Sequence, residues 1–103
     1  MRMAIASLLF LLLMTGTVQA DDAAGRAILE KECGSCHAIA VTGDSPLAKA
    51  PPFREVVTRY PPENLTESLA EGIVTGHDGM PEFIFEPEEI GDIVAYLETL
   101  KPR

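Results

Sequence analysis

The stretch "KECGSCHAIA", residues 31–40, holds both cysteines of the chain, Cys33 and Cys36, and one of its two histidines, His37. Four readings compete for two thiols set two residues apart and followed at once by an imidazole. One is a local disulfide in an oxidising compartment. A second is a redox-active dithiol, which asks for a strand–motif–helix setting that this chain does not offer. A third is a zinc site, which takes four ligands in most structural cases; Cys33, Cys36, His37 and His77 reach that number. The fourth is covalent haem attachment. Each thiol adds to one vinyl group of a porphyrin to form a thioether, and the neighbouring imidazole reaches the iron; C-x-x-C-H is the attachment signature.

The surroundings of the motif favour the fourth reading. The chain has 103 residues, enough for one domain. Residues 1–20, "MRMAIASLLFLLLMTGTVQA", run from a basic residue (Arg2) through an apolar stretch at about Met3–Met14 to Val18-Gln19-Ala20. That is the order of a secretory signal peptide cleaved after Ala20. The competing reading, an uncleaved membrane anchor, meets an apolar run shorter than the ~18–20 residues a span needs. Residues 21–103 then form one small domain, of a size that commonly needs a disulfide, metal or cofactor to be stable. A Cys33–Cys36 bridge closes too small a loop to help much. The core therefore calls for a non-protein group, and export directs the chain to the periplasm, where bacterial c-type haem attachment occurs.

Charge narrows the partners. Without Arg2, seven Lys and Arg face sixteen Asp and Glu, a formal charge of −9. Nucleic acid and anionic membrane surfaces are unfavourable partners for such a chain, and basic docking surfaces are favourable ones.

Three helical segments and long loops predict an all-α domain. The first helix spans about Asp22–Cys33, with Asp21 and Asp22 at its positive end. Gly25 inside it costs ~1 kcal/mol relative to alanine, which close approach of another helix would explain. Residues 41–52, "VTGDSPLAKAPP", read as loop. "FREVVTRY", residues 53–60, is undecided between a short helix and extended chain. A second helix starts at Pro61-Pro62, carries Leu65, Leu69, Gly72 and Ile73 on one face, and ends at Gly76. Residues 76–87 form another loop. A third helix runs from near Pro87 to about Leu100, with Ile90, Ile93, Val94, Leu97 and Leu100 at amphipathic spacing.

With these features the chain resembles the small bacterial class I c-type cytochromes, monohaem electron carriers, over essentially all of residues 21–103. The likeness rests on Gly25, on Cys33-Gly34-Ser35-Cys36-His37, on Ala50-Pro51-Pro52-Phe53, on Gly79-Met80-Pro81-Glu82-Phe83, and on Ile93-Val94-Ala95-Tyr96-Leu97. It implies an all-α cytochrome c fold of three main helices and long loops wrapped around one covalent haem c. Cys33 and Cys36 would tether the haem, and His37 would ligate the iron.

Met80 is the one methionine that remains once the leader is removed, and it lies in a glycine- and proline-bounded loop. In the family a methionine in such a loop supplies the second iron ligand, which raises the reduction potential relative to two histidines. His77 is the competitor. The family also has a proline carbonyl orient the ligating histidine; the Pro-x-hydrophobe pattern of Pro51-Pro52-Phe53 makes Pro51 the candidate and Pro52 the near miss. Gly25 would face Ile93 and Tyr96, with Leu29 where many members carry an aromatic residue. Arg54, Arg59 and Tyr60 are candidates for the propionate side.

The expected role is one-electron transfer between redox partner proteins, by a monomer or a loosely associated subunit without stable membrane insertion. Nothing in the chain is arranged for substrate turnover. Two alternatives are an electron-transfer subunit of a larger periplasmic dehydrogenase or oxidase, and a haem enzyme or gas sensor with an open iron site.

Overall fold

The computed structural model describes residues 19–72 and 79–103. Residues 1–18 of the expected leader, His77, and the stretch in which the second helix was expected to end lie outside the described residues. Among the described residues there are four α-helices, α1 (Asp22–Cys33), α2 (Phe53–Arg59), α3 (Thr66–Glu71) and α4 (Pro87–Thr99), with a 3₁₀ turn at Pro62–Leu65 leading into α3. Among the described residues there is no strand.

Each helix begins where its sequence supplies a start. The Asp21 carboxylate accepts from the N–H groups of Ala23 and Ala24, satisfying donors that α1 leaves unpaired. Helix α4 opens on Pro87, whose fixed φ suits a first turn, and the Glu86 N–H donates to Glu89 Oε1 at 3.1 Å. Pro51 and Pro52 precede α2, and Pro61 precedes the 3₁₀ turn, whose first residue is Pro62.

The second helix is shorter than its sequence suggests. It stops at Glu71 because Gly72 takes φ +100°, a left-handed conformation that ends the helical run. The undecided segment after Pro52 is helical over Phe53–Arg59 and buries Val57.

The core is built around the crossing of α1 and α4. Leu29, Ile90, Ile93, Tyr96, Leu97 and Leu100 pack there, joined by Val57 of α2, Leu69 of α3, and Ile39 and Phe85 from the connecting segments. Gly25 sits at the closest approach, where a Cβ would collide with the carbonyl of Asp92 and crowd the nitrogen of Ile93. The partner of Gly25 is thus the Asp92–Ile93 peptide itself. Tyr96, one turn along α4, reaches elsewhere: its hydroxyl donates to the Ile39 carbonyl at 2.7 Å.

Candidate haem-attachment site

Helix α1 delivers the motif. Its last residue is Cys33, and the chain continues as a tight turn in which the N–H groups of Cys36 and His37 both donate to the Cys33 carbonyl, at 3.2 and 2.9 Å. That turn brings both cysteines and the histidine to one end of the α1–α4 pair. Cys33 and Cys36 are free, half-buried thiols. Burial first, with help from the Glu32 and Cys36 charges, pushes the Cys33 thiol up to about 11. It is therefore a neutral thiol at physiological pH, in the apolar surroundings a thioether would occupy.

His37 is buried at 7% exposure, unusual for an imidazole unless something holds it. Its Nδ1 lies 2.7 Å from the Pro51 carbonyl oxygen. A carbonyl only accepts, so Nδ1 carries the proton and the lone pair of the neutral ring resides on Nε2, the tautomer a metal-ligating histidine uses. The Phe53 ring stacks on the imidazole with centroids 4.8 Å apart and planes 26° from parallel.

The intervening loop is stitched to this group. Ala38 N–H donates to Ser45 Oγ, Leu47 N–H to the Cys36 carbonyl, and Phe53 N–H to the Ala38 carbonyl, at 3.0, 3.1 and 3.0 Å. These bonds tie parts of residues 38–53 to the His37 turn, while most of residues 41–49 stay exposed to solvent, which can satisfy their backbone groups.

The methionine segment is built differently. Gly79 turns the chain with φ +84°, and Met80 is half-buried. From there the chain is extended to Glu86, with outward and inward residues alternating. Glu82, Ile84 and Glu86 are exposed; Phe83 and Phe85 face in, their rings stacked at 6.0 Å. The Phe85 N–H donates to the Leu69 carbonyl at 2.9 Å, which ties this strap to α3.

Arg59 and Tyr60 are exposed and Arg54 is half-buried. The Arg54 Nη1 donates to the Gly43 carbonyl at 2.7 Å, and Arg59 pairs with Glu55 at 4.0 Å on the exposed side of α2. Tyr60 is 58% exposed.

The residues present fit haem c. Two reduced thiols and an imidazole of the metal-binding tautomer are its attachment and ligand set. Cys33, Phe53, Leu65 and Phe83 pack on the core yet keep part of their apolar surface uncovered, as suits residues that meet a flat apolar cofactor. A zinc site fits less well: among the described residues no three His, Cys, Asp or Glu side chains converge as a metal-ion cluster.

An all-α domain that closes a C-x-x-C-H turn over an anchored histidine belongs to the class of covalent haem proteins. The comparison with known families makes this specific. The family model described as cytochrome c matches residues 23–101. Cytochrome c-552 of Bradyrhizobium diazoefficiens is 33% identical over 88 residues, covering 85% of this chain and 83% of that protein. The chain belongs to the cytochrome c family; it is an electron-carrier cytochrome whose cofactor is covalently bound haem c.

Three contacts were not foreseen from the sequence: the Phe53 stack, the Ser45 hydroxyl on Ala38, and the Tyr96 hydroxyl on Ile39. An aromatic residue directly after two prolines was the available signal for the first. Nothing local signalled the other two.

Proposed function

We propose that this chain is a periplasmic monohaem cytochrome carrying one electron at a time between protein partners, with no enzymatic activity of its own. The observation that carries the reading is the pairing of His37 Nδ1 with the Pro51 carbonyl beside two reduced thiols. When bound, the haem supplies the one-electron redox couple. Cys33 and Cys36 tether it, and His37 ligates the iron through Nε2, its ring held by Pro51 and Phe53. Met80 supplies the second ligand in preference to His77. The half-buried loop position of Met80 and its glycine turn suit that role. Arg54, Arg59 and Tyr60 stand on the propionate side; Arg54 keeps further donors beyond the one given to Gly43.

A signal peptide removed after Ala20 accounts for export, and folding fits it: α1 begins at Asp22 and its cap is Asp21. Among the described residues no helix is long and apolar enough to cross a membrane. The acidic surface favours a soluble shuttle that docks on basic faces over a fixed subunit of a larger complex.

Spectra of the purified oxidised protein and its Met80→Ala variant test the ligand set. The wild type is expected to show the weak near-red band of sulfur ligation, lost in the variant, whose reduced form then binds carbon monoxide. A wild type without that band, with a spectrum unchanged in Met80→Ala, would sink the Met80 assignment. Carbon monoxide binding to the reduced wild type at neutral pH would favour an enzyme or sensor instead.

A further inference from the structure

We propose that Phe53 is a positioning residue for His37: its ring sets the plane of the imidazole and, through that plane, the electronic character of the iron. This rests on the ligation reading above. The Pro51 carbonyl and the Phe53 ring both bear on the imidazole. The Pro51 carbonyl fixes the Nδ1 edge at 2.7 Å. A hydrogen bond alone tolerates tilts of roughly 30° from linear before it weakens much, so it anchors one edge and leaves the ring some freedom to rock about the Cβ–Cγ bond. The Phe53 face, 4.8 Å away and 26° from parallel, meets that motion sterically. Offset packing of this kind is also favourable in itself.

Phe53 can act as a reference because it is held in turn. Pro51 and Pro52 precede it, and proline fixes φ; Pro52 sits at φ −57° and ψ 143°. Phe53 is the first residue of α2, and its own N–H donates to the Ala38 carbonyl, one residue beyond His37. The segment Pro51–Phe53 therefore grips the His37 turn three times: by the Pro51 carbonyl, the Phe53 N–H and the Phe53 ring. Only the last depends on the Phe53 side chain. With haem bound, the plane of the His37 imidazole would govern how its π electrons meet the iron. An apolar ring against it also shields the ligand from water, and this outer shell is a recognised lever on potential.

The test uses the haem-loaded protein with Phe53→Leu and Phe53→Tyr. Leucine keeps apolar bulk and the backbone bond to Ala38 and removes the aromatic face; tyrosine restores that face. The readouts are the g values of the oxidised protein, the paramagnetic shifts of the haem methyl and His37 ring protons, and the midpoint potential, with the unfolding midpoint as a fold control. Phe53→Leu is expected to shift the g values, rearrange the methyl shifts and move the potential, and Phe53→Tyr to bring all three back towards wild type. Wild-type g values, methyl shifts and potential in a folded Phe53→Leu protein overturn the proposal. So does a change in Phe53→Leu that tyrosine fails to reverse, since bulk rather than the aromatic face would then be at work. A wild type whose spectra lack a histidine-ligated haem overturns the ligation reading and this inference with it. A normal His-ligated wild type that is indifferent to Phe53 overturns this inference alone.

Discussion

His37 and Met80, the two proposed iron ligands, sit in neighbourhoods of opposite construction. The His37 side is a web of backbone and side-chain hydrogen bonds: Pro51 on Nδ1, Ser45 and Phe53 on the two ends of Ala38, Tyr96 on Ile39. The Met80 side is a strap that, among the described residues, is held by the Phe85–Leu69 backbone bond and by two inward aromatic rings. Charge divides the chain the same way. Residues 21–59 carry six Asp and Glu against five Lys and Arg, and three ion pairs form there, Arg26–Glu30, Lys31–Glu32 and Arg59–Glu55. Residues 60–100 carry ten Asp and Glu with no Lys or Arg, so that half repels itself. The lesson is a division of labour: one ligand is preset by a rigid frame, and the other is presented by a segment that leans on the core for its order.

The frame depends on the α1–α4 crossing, so the largest effect is expected from Gly25→Ala. The added methyl meets backbone, which has no rotamer to escape into. The helices must move apart, at more than ~3 kcal/mol. Urea unfolding of the haem-loaded protein measures this, and a loss under ~1 kcal/mol would show that the crossing is looser than its geometry. The strap comes next. Phe85→Ala removes a buried ring that anchors it, at ~3 kcal/mol. The informative part is where that loss falls. On warming, the near-red band assigned to Met80 is expected to vanish before the helical signal does. Simultaneous loss of both would mean that the two sides are one cooperative unit, and the contrast drawn above would fail.

Tyr96→Phe probes the other side with a smaller effect. It removes the donor to a buried carbonyl, at ~1–2 kcal/mol, and should leave the Met80 band in place. Its pH dependence has a definite sign. Burial chiefly raises the Tyr96 phenol, the Arg26 charge lowers it, and Glu30 raises it. A group raised in the folded state contributes fully below its unfolded value, ~10 for tyrosine, and loses that contribution as pH climbs through the folded value. The wild type should therefore lose stability above about pH 10 more steeply than Tyr96→Phe. Parallel curves would count against the phenol.

How much of this was legible in the sequence follows the same divide. Helix α1 was readable to the residue, because Asp21 marks its start and the cysteine motif its end. The haem came from a motif whose residues are contiguous, the all-α fold from the helical segments and loops, and the family from these together with short stretches spread along the chain. The FREVVTR segment could not be typed, since seven residues hold too little periodicity to separate helix from strand. The overrun of α3 arose because Gly72 lies on the apolar face and reads as tolerated, whereas its positive φ, and the Glu82 side chain packed where a Cβ would stand, exist only in the folded chain. The Phe53 stack and the Tyr96 hydroxyl escaped notice for one reason: each joins residues that only the folded loop brings together. In sequence Phe53 was a generic hydrophobe and Tyr96 a helix-packing residue.

The smallest predicted effect falls where the two halves meet. The Asp21 N–H donates to Asp92 Oδ1 at 2.8 Å, tying the start of α1 to α4. If the leader is removed after Ala20 as proposed, that nitrogen becomes the α-ammonium of the mature chain, and the contact becomes charge-assisted below its pKa of ~8. The pair is exposed, so screening keeps its worth to about 0.5–1 kcal/mol. Asp92→Asn in the mature protein should cost that much at pH 6 and distinctly less at pH 9.5, where the amine is neutral. Adding one residue before Asp21 should abolish the pH dependence while keeping the neutral hydrogen bond. An Asp92→Asn cost that is the same at both pH values would show that no ammonium stands at that position, and mass spectrometry of the exported protein would then have to place the mature start elsewhere.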